Sequence, residues 1–211
     1  MEQLRPLVAI LDYGIGNLRS AQKAMERAGA DAQLTADPSV VARAAGVVLP
    51  GVGAMARCMD ALTASGLRQV VIDATESGKP FLGVCVGMQM LHAGSEEHGG
   101  VEGLAIFNAM VRRITGDVKI PQMQWNVVDQ VRPSWLLDGL VSPAWMYFVH
   151  SYAPEIHSDV VATCDYGGPI GAAVQRGMVA GTQFHPEKSA STGLALLTNF
   201  VRACRSGALV A

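Results

Sequence analysis

Charge is scarce in this chain of 211 residues: 16% are Asp, Glu, Lys or Arg, against roughly 25% in an average soluble protein, and the formal balance is −2. With no basic excess, nothing electrostatic points to a nucleic acid or an anionic membrane as partner. No apolar run approaches the ~20 residues that span a bilayer, and Arg5 is followed by a strand-like segment, so neither a membrane helix nor a signal peptide is expected. The four cysteines, Cys58, Cys85, Cys164 and Cys204, make no Cys-x-x-Cys pair and no zinc-type spacing. A chain this long closes a core without disulfides, so reduced thiols and a cytoplasmic location are expected. His92, His98, His150, His157 and His185 show no His-Glu-x-x-His spacing, and neither a metal nor a cofactor is expected.

What is present is apolar. Half of the residues are hydrophobic, which suggests buried strands and a surface covered by another subunit. The length suits a single domain over residues 1–211. In the first half, apolar runs at Leu7 to Leu11, Gly46 to Leu49 and Phe81 to Cys85 alternate with helical patterns. Asn17 is a plausible cap for a helix carrying Leu18, Ala21 and Met25 and stopped by Gly29. Asp37-Pro38 opens a short helix, and two helical stretches run from about Ala54 to Ser77. Such alternation implies an α/β fold with a largely parallel sheet and helices on both faces. After Glu102, short strand-like runs imply an antiparallel region: Val111 to Ile114, Trp125 to Val131, Met146 to His150, Val160 to Cys164, Ala172 to Arg176 and Val179 to Phe184. A last helix is expected over Ser191 to Arg205.

Two short segments carry the chemistry. Phe81-Leu82-Gly83-Val84-Cys85-Val86-Gly87 is an apolar strand ending in a Gly-x-Cys-x-Gly turn, the layout of a nucleophile elbow. The elbow sets the thiol at a helix N-terminus, where unpaired N–H groups favour a thiolate, and the Val86 N–H faces the reacting carbon. The alternative is a buried structural cysteine, the default for Cys58, Cys164 and Cys204. One hundred residues on, His185-Pro186-Glu187 offers an imidazole and a carboxylate two positions apart, on one face of an extended segment. Alone this reads as a surface turn without chemistry; the pairing with the elbow reverses that, and it reads as base and orienting group. Pro50-Gly51-Val52-Gly53 leaves a buried strand and offers the Val52 and Gly53 N–H groups to complete an oxyanion hole with Val86. Gly14-Ile15-Gly16 lacks the third glycine of a dinucleotide fingerprint, since Arg19 stands there, and is expected to be structural or partner-facing. The residues thus describe a cysteine-nucleophile acyl-transfer enzyme.

Gly83-Val84-Cys85-Val86-Gly87-Met88-Gln89 together with His185-Pro186-Glu187 resembles the class I (triad-type) glutamine amidotransferases, over essentially the whole chain. The resemblance implies a flavodoxin-like fold and hydrolysis of L-glutamine through a Cys85 thioester, with His185 protonating the departing ammonia. It places Gly53, Gln89, Ser151 and Tyr152 in the glutamine pocket and Glu97 near the substrate ammonium. Tyr147-Phe148-Val149-His150-Ser151-Tyr152 and Glu187-Lys188-Ser189 are similar to the members that pair with a (β/α)8-barrel synthase subunit in histidine biosynthesis. Those members imply a heterodimer, an ammonia tunnel, and low turnover until the synthase is loaded because an N–H near Val52 is misdirected at rest. Two departures stand out. Gln122 and Gln124 replace the usual His and Gly of a Pro-His-Met-Gly-Trp-Asn segment, Gln124 at the expected partner face; Val86 replaces a common Leu. A glutaminase for another acceptor, a non-catalytic subunit of the same fold and a free-standing cysteine hydrolase remain alternatives.

Overall fold

The computed structural model describes residues 5–207. Leu7–Leu11 forms β1, Leu18–Arg27 α1, Asp31–Thr35 β2, Pro38–Arg43 α2 and Gly46–Gly51 β3. Met55–Ala64 and Leu67–Glu76 are α3 and α4, Phe81–Cys85 is β4, and Val86–Met90 is the short α5. His92–Ser95 (β5), Val101–Glu102 (β6), Phe107–Arg113 (β7), Gln122–Gln130 (β8) and Ala144–His150 (β9) follow. Tyr152–Pro154 (β10), Val160–Asp165 (β11), Pro169–Arg176 (β12) and Val179–Thr182 (β13) complete the strands. A 3-10 turn over Pro186–Lys188 leads into α6, Ala190–Gly207.

The local signals act through ordinary chemistry. Asp37 caps α2, its Oδ1 accepting from the Ser39 N–H at 2.8 Å, with Pro38 in the first turn. Asn17 precedes α1 but, contrary to expectation, makes no side-chain cap bond. Its backbone (φ −84°, ψ 56°) lies outside the extended region from which a cap side chain reaches the first turn.

The main sheet has nine strands in the order β2-β1-β3-β4-β13-β12-β11-β8-β9. It is parallel from β2 to β13 and antiparallel beyond, where hairpin-like connections replace helical crossovers. A smaller sheet, β10-β7-β5-β6, stands apart. β5 and β6 were invisible to periodicity because His92-Ala93-Gly94-Ser95 and Val101-Glu102 carry no apolar alternation. The chain packs α1 on α6, and α4 on α2 and α3. Phe81, Phe107, Phe148, Phe184 and Phe200 fill the core without solvent contact.

One contact shapes the corner that carries Cys85. Gly51 pairs with Cys85 across β3 and β4, and the start of α5 presses on β3. A Cβ on Gly51 would stand 2.6 Å from the Gly87 nitrogen, and one on Gly87 would collide with the Leu49 carbonyl oxygen. Neither neighbour is a side chain able to swing away, so both positions require glycine. Gly87→Ala is therefore expected to lower stability by about 2 kcal/mol or more, read as a reduced urea midpoint. An unchanged midpoint would mean that the two backbones are not in contact.

Two buried histidines give the fold an acid limit. Burial pushes His92 down to about 4, and the imidazole of His157, whose Nε2 lies 3.3 Å from His92 Nε2, adds to that. Burial, then the charge of His185, also holds His150 at about 4. Both lie below the unfolded value of about 6.5, so below that pH the unfolded chain binds protons that the folded chain refuses. Stability is thus full above about pH 6.5 and falls towards pH 4, on the order of 3 kcal/mol per histidine. Denaturant unfolding at about pH 7 and about pH 4.5 checks this; equal midpoints contradict it.

Candidate active site

β4 delivers Cys85 to the C-terminal edge of the parallel strands, where open α/β sheets hold their ligands. Cys85 has φ 55° and ψ −112°, a conformation that costs a side-chain-bearing residue about 1–3 kcal/mol. The packing of Gly51 and Gly87 enforces it. The thiol, in a residue only 3% exposed, opens on a cleft of about 400 Å³. Val52, Gly53, Val86, Gln89, Glu97, Ser151, Tyr152 and His185 line the same cleft. Every candidate from the sequence except Glu187 therefore meets there, and Glu187 stands behind His185.

The His185–Glu187 pair forms by a route the sequence did not suggest. The segment is not extended through Glu187: Pro186–Lys188 coils into a 3-10 turn that folds the carboxylate back under the ring. Pro186, with its fixed φ, starts that turn, and the Lys188 N–H donates to the His185 carbonyl at 3.0 Å. His185 Nδ1 lies 2.8 Å from Glu187 Oε1, with both side chains almost fully buried. The His185 N–H donates to the Tyr147 carbonyl at 2.9 Å, and Ser189 Oγ accepts from the Tyr147 N–H, so β9 fixes the backbone of the imidazole. Burial alone would lower the pKa of His185. Hydrogen bonds and charges from Cys85 and Glu187 outweigh it and raise the group to about 10. The ring is an imidazolium at neutral pH, its Nδ1–H aimed at Glu187.

Around the thiol lies a polar chain, part of which the sequence reading missed. Gln183 donates from Nε2 towards Cys85 Sγ at 3.7 Å, and its Oε1 accepts from Gln89 Nε2 at 3.0 Å. Gln89 Nε2 also donates to the Tyr152 carbonyl at 2.9 Å. Gln183 is fully buried in the run Ala180-Gly181-Thr182-Gln183-Phe184. A buried amide in an apolar run needs partners, and that was the available signal.

Glu97 presents one oxygen to the cleft. Its Oε2 accepts from the Met55 N–H at the start of α3, 2.8 Å away, while among the described residues Oε1 has only the weak neighbour His98 Nε2 at 3.9 Å. Val86 opens α5, so its N–H has no partner inside that helix. Among the described residues, the N–H groups of Val52 and Gly53 meet no protein acceptor. The Val52 carbonyl instead accepts from the Cys58 thiol at 3.4 Å. Tyr13, beside the Gly14-Ile15-Gly16 loop, donates to the Pro50 carbonyl at 2.6 Å, so that loop buttresses the oxyanion candidates. All four cysteines are unpaired and buried. No described helix is long and apolar enough to cross a membrane.

Comparison with known proteins places the chain in a family. The family described as glutamine amidotransferase class-I matches residues 9–204. A curated relative from Syntrophotalea carbinolica, named imidazole glycerol phosphate synthase subunit HisH, is 50% identical over 92% of this chain and 98% of its own. Proteins of the same name from Caulobacter vibrioides and Moorella thermoacetica are 47% and 44% identical, over 92% and 93% of this chain and 97% and 94% of theirs. A solved structure from Thermoplasma acidophilum, described as a putative GMP synthase subunit, superposes with TM-score 0.74 at 19% identity, over 99% of this chain and 98% of that one. Another, described as a glutamine amidotransferase, gives TM-score 0.71 at 20% identity, over 94% and 98%. The fold is the flavodoxin-like fold of these enzymes, and the chain belongs to the class I glutamine amidotransferases, in the family of the HisH subunits.

Proposed function

We propose that this chain is the glutaminase subunit of an imidazole glycerol phosphate synthase in histidine biosynthesis, hydrolysing L-glutamine to glutamate and ammonia on Cys85 and passing the ammonia to a partner. One observation carries the catalytic reading: a cysteine forced onto a positive-φ corner shares its cleft with a histidine whose far nitrogen is held by a buried carboxylate. In this reading the Cys85 sulfur attacks the side-chain carboxamide carbon. Negative charge develops on the carboxamide oxygen, to be met by the Val86 N–H and by those of Val52 and Gly53. The His185 imidazolium gives its Nε2 proton to the nitrogen, which leaves as ammonia. His185 then takes a proton from water as the water attacks the thioester, and glutamate departs. Glu187 keeps the imidazole in register and stabilises its charged form. The free oxygen of Glu97 suits the α-ammonium of the substrate, with Gln89, Ser151 and Tyr152 forming the wall opposite.

The partner is a (β/α)8-barrel synthase subunit in a heterodimer, and the cytoplasm is its compartment. Support comes from the β8–β9 hairpin. Its register pairs Met123 with Val149, Trp125 with Tyr147 and Val127 with Trp145, setting these six side chains on one face. Met123, Trp125 and Trp145 are 62%, 45% and 47% exposed. A contiguous apolar strip of this kind marks a surface that another protein covers. Val149 joins the strip to the cleft. In neutral water, ammonia is mostly protonated and loses its nucleophilic lone pair, so delivery requires a seal of this sort. Gln124, expected at the partner face, pairs with Phe148 on the opposite face of the hairpin, because alternate residues of a strand point to opposite sides.

Cys85→Ala is expected to reduce glutamine-dependent synthesis by the reconstituted complex by about four orders of magnitude or more, with ammonia-dependent synthesis retained. Loss of both activities in an assembled complex would refute the division of labour. Trp125→Ala is expected to weaken binding of the synthase by about tenfold or more, as loss of a central aromatic anchor does; calorimetric titration giving an unchanged Kd would remove the strip from the interface.

A further inference from the structure

The pairing of β8 with β9 sets Gln122 directly opposite His150, and both are buried. Each ring nitrogen of His150 faces an oxygen as the side chains stand: Nδ1 is 2.9 Å from the Tyr152 carbonyl, and Nε2 is 2.8 Å from Gln122 Oε1. A neutral imidazole has one N–H and one lone pair, whereas a carbonyl oxygen only accepts. Burial keeps His150 neutral at pH 7, so it cannot donate to both oxygens. The Tyr152 carbonyl has no rotational freedom, so Nδ1 carries the proton and Nε2 must accept one. The other end of the same amide supplies the complement: among the described residues, the buried Gln122 Nε2 meets no oxygen or nitrogen acceptor. Beside it lies the thiol of Cys164, a donor. Turning the amide by half a revolution satisfies all of these groups together. Gln122 Nε2–H then donates to His150 Nε2, and Cys164 S–H donates to Gln122 Oε1. Amide orientation is properly assigned from such a network.

We propose that Gln122 is a positioning residue of the glutaminase site: its N–H holds His150 in the Nδ1–H tautomer, and His150 thereby locks the Tyr152 carbonyl that carries Gln89. The chain continues from Gln89 to Gln183 and from Gln183 to Cys85 Sγ. A buried network therefore runs from Cys164 on β11 to the nucleophile on β4, with every member paired. It also fixes the turn from β9 into β10 that carries Ser151, a wall of the cleft. The activity arm of this inference rests on the glutaminase reading; the tautomer arm stands without it.

The tautomer is read directly by nitrogen-15 NMR of the histidine-labelled full chain at neutral pH. A His150 protonated at Nδ1 and bare at Nε2 is expected; an Nε2–H tautomer or an imidazolium overturns the proposal. Two variants in the synthase complex test the consequence. Gln122→Leu removes the donor, and Gln122→Met keeps the length of the side chain but offers no donor. Each is expected to raise KM for glutamine about tenfold, as a buried group losing its partner does, with ammonia-dependent synthesis unchanged. Gln122→His, which restores a ring N–H, is expected to recover most of the loss. Wild-type KM in Gln122→Met overturns the proposal. If a variant does not fold, the NMR result on the unmodified chain decides. A wild-type complex with the expected tautomer but no glutaminase activity would refute the function and leave the tautomer assignment standing.

Discussion

The site depends on backbone pressed against backbone. Where α5 meets β3 there is no room for a Cβ at Gly51 or Gly87, and that contact holds the β4–α5 corner tight enough to keep Cys85 at a positive φ. A cysteine without this pressure would relax to negative φ and turn its sulfur away from the cleft. The strain is local and small beside the burial of β1, β3 and β4, whose side chains are almost wholly withdrawn from water. The parallel strands thus act as a rigid base on which one distorted residue is supported.

Three buried histidines show how neighbours, rather than burial, decide charge. Burial pushes His92 and His150 down to about 4: the charge of Asp159 only partly offsets it at His92, and the neighbouring His185 adds to it at His150. His185 is equally buried, yet the thiol and the Glu187 carboxylate carry it up to about 10. The signs of their linkage to stability are opposite: His92 and His150 cost stability as pH falls below about 6.5, whereas the contribution of His185 is present below its unfolded pKa and is lost as pH rises through about 10. In the proposed mechanism, His185 reaches the substrate already holding the proton that a departing ammonia needs. The neutral His150 is suited instead to a fixed hydrogen bond.

Much of this was legible in the chain because it was local. The apolar runs of β1, β3 and β4, the Asp37-Pro38 cap and the Gly-x-Cys-x-Gly turn each announce themselves within a few residues. The pairing of His185 with Glu187 was read correctly as a contact but through the wrong geometry, since an i, i+2 spacing is met by a 3-10 turn as well as by a strand. What the sequence could not show was long-range. Gln183, the Cys58 thiol on the Val52 carbonyl, and Gln122 facing His150 acquire meaning only once separate strands pair. The short β5 and β6 were hidden because neither carries an apolar alternation.

Cys58 offers a built-in control, being a second buried thiol whose hydrogen bond ends on the Val52 carbonyl rather than on a base. Burial pushes that thiol up, disfavouring its reactive form. The most direct measurement is therefore labelling of the assembled, ligand-loaded complex with a glutamine-mimicking diazo-ketone, followed by peptide mass spectrometry. A single adduct, on Cys85, abolished by excess glutamine, is the expected result. An adduct on Cys58, or none under conditions where glutamine is being consumed, would contradict it.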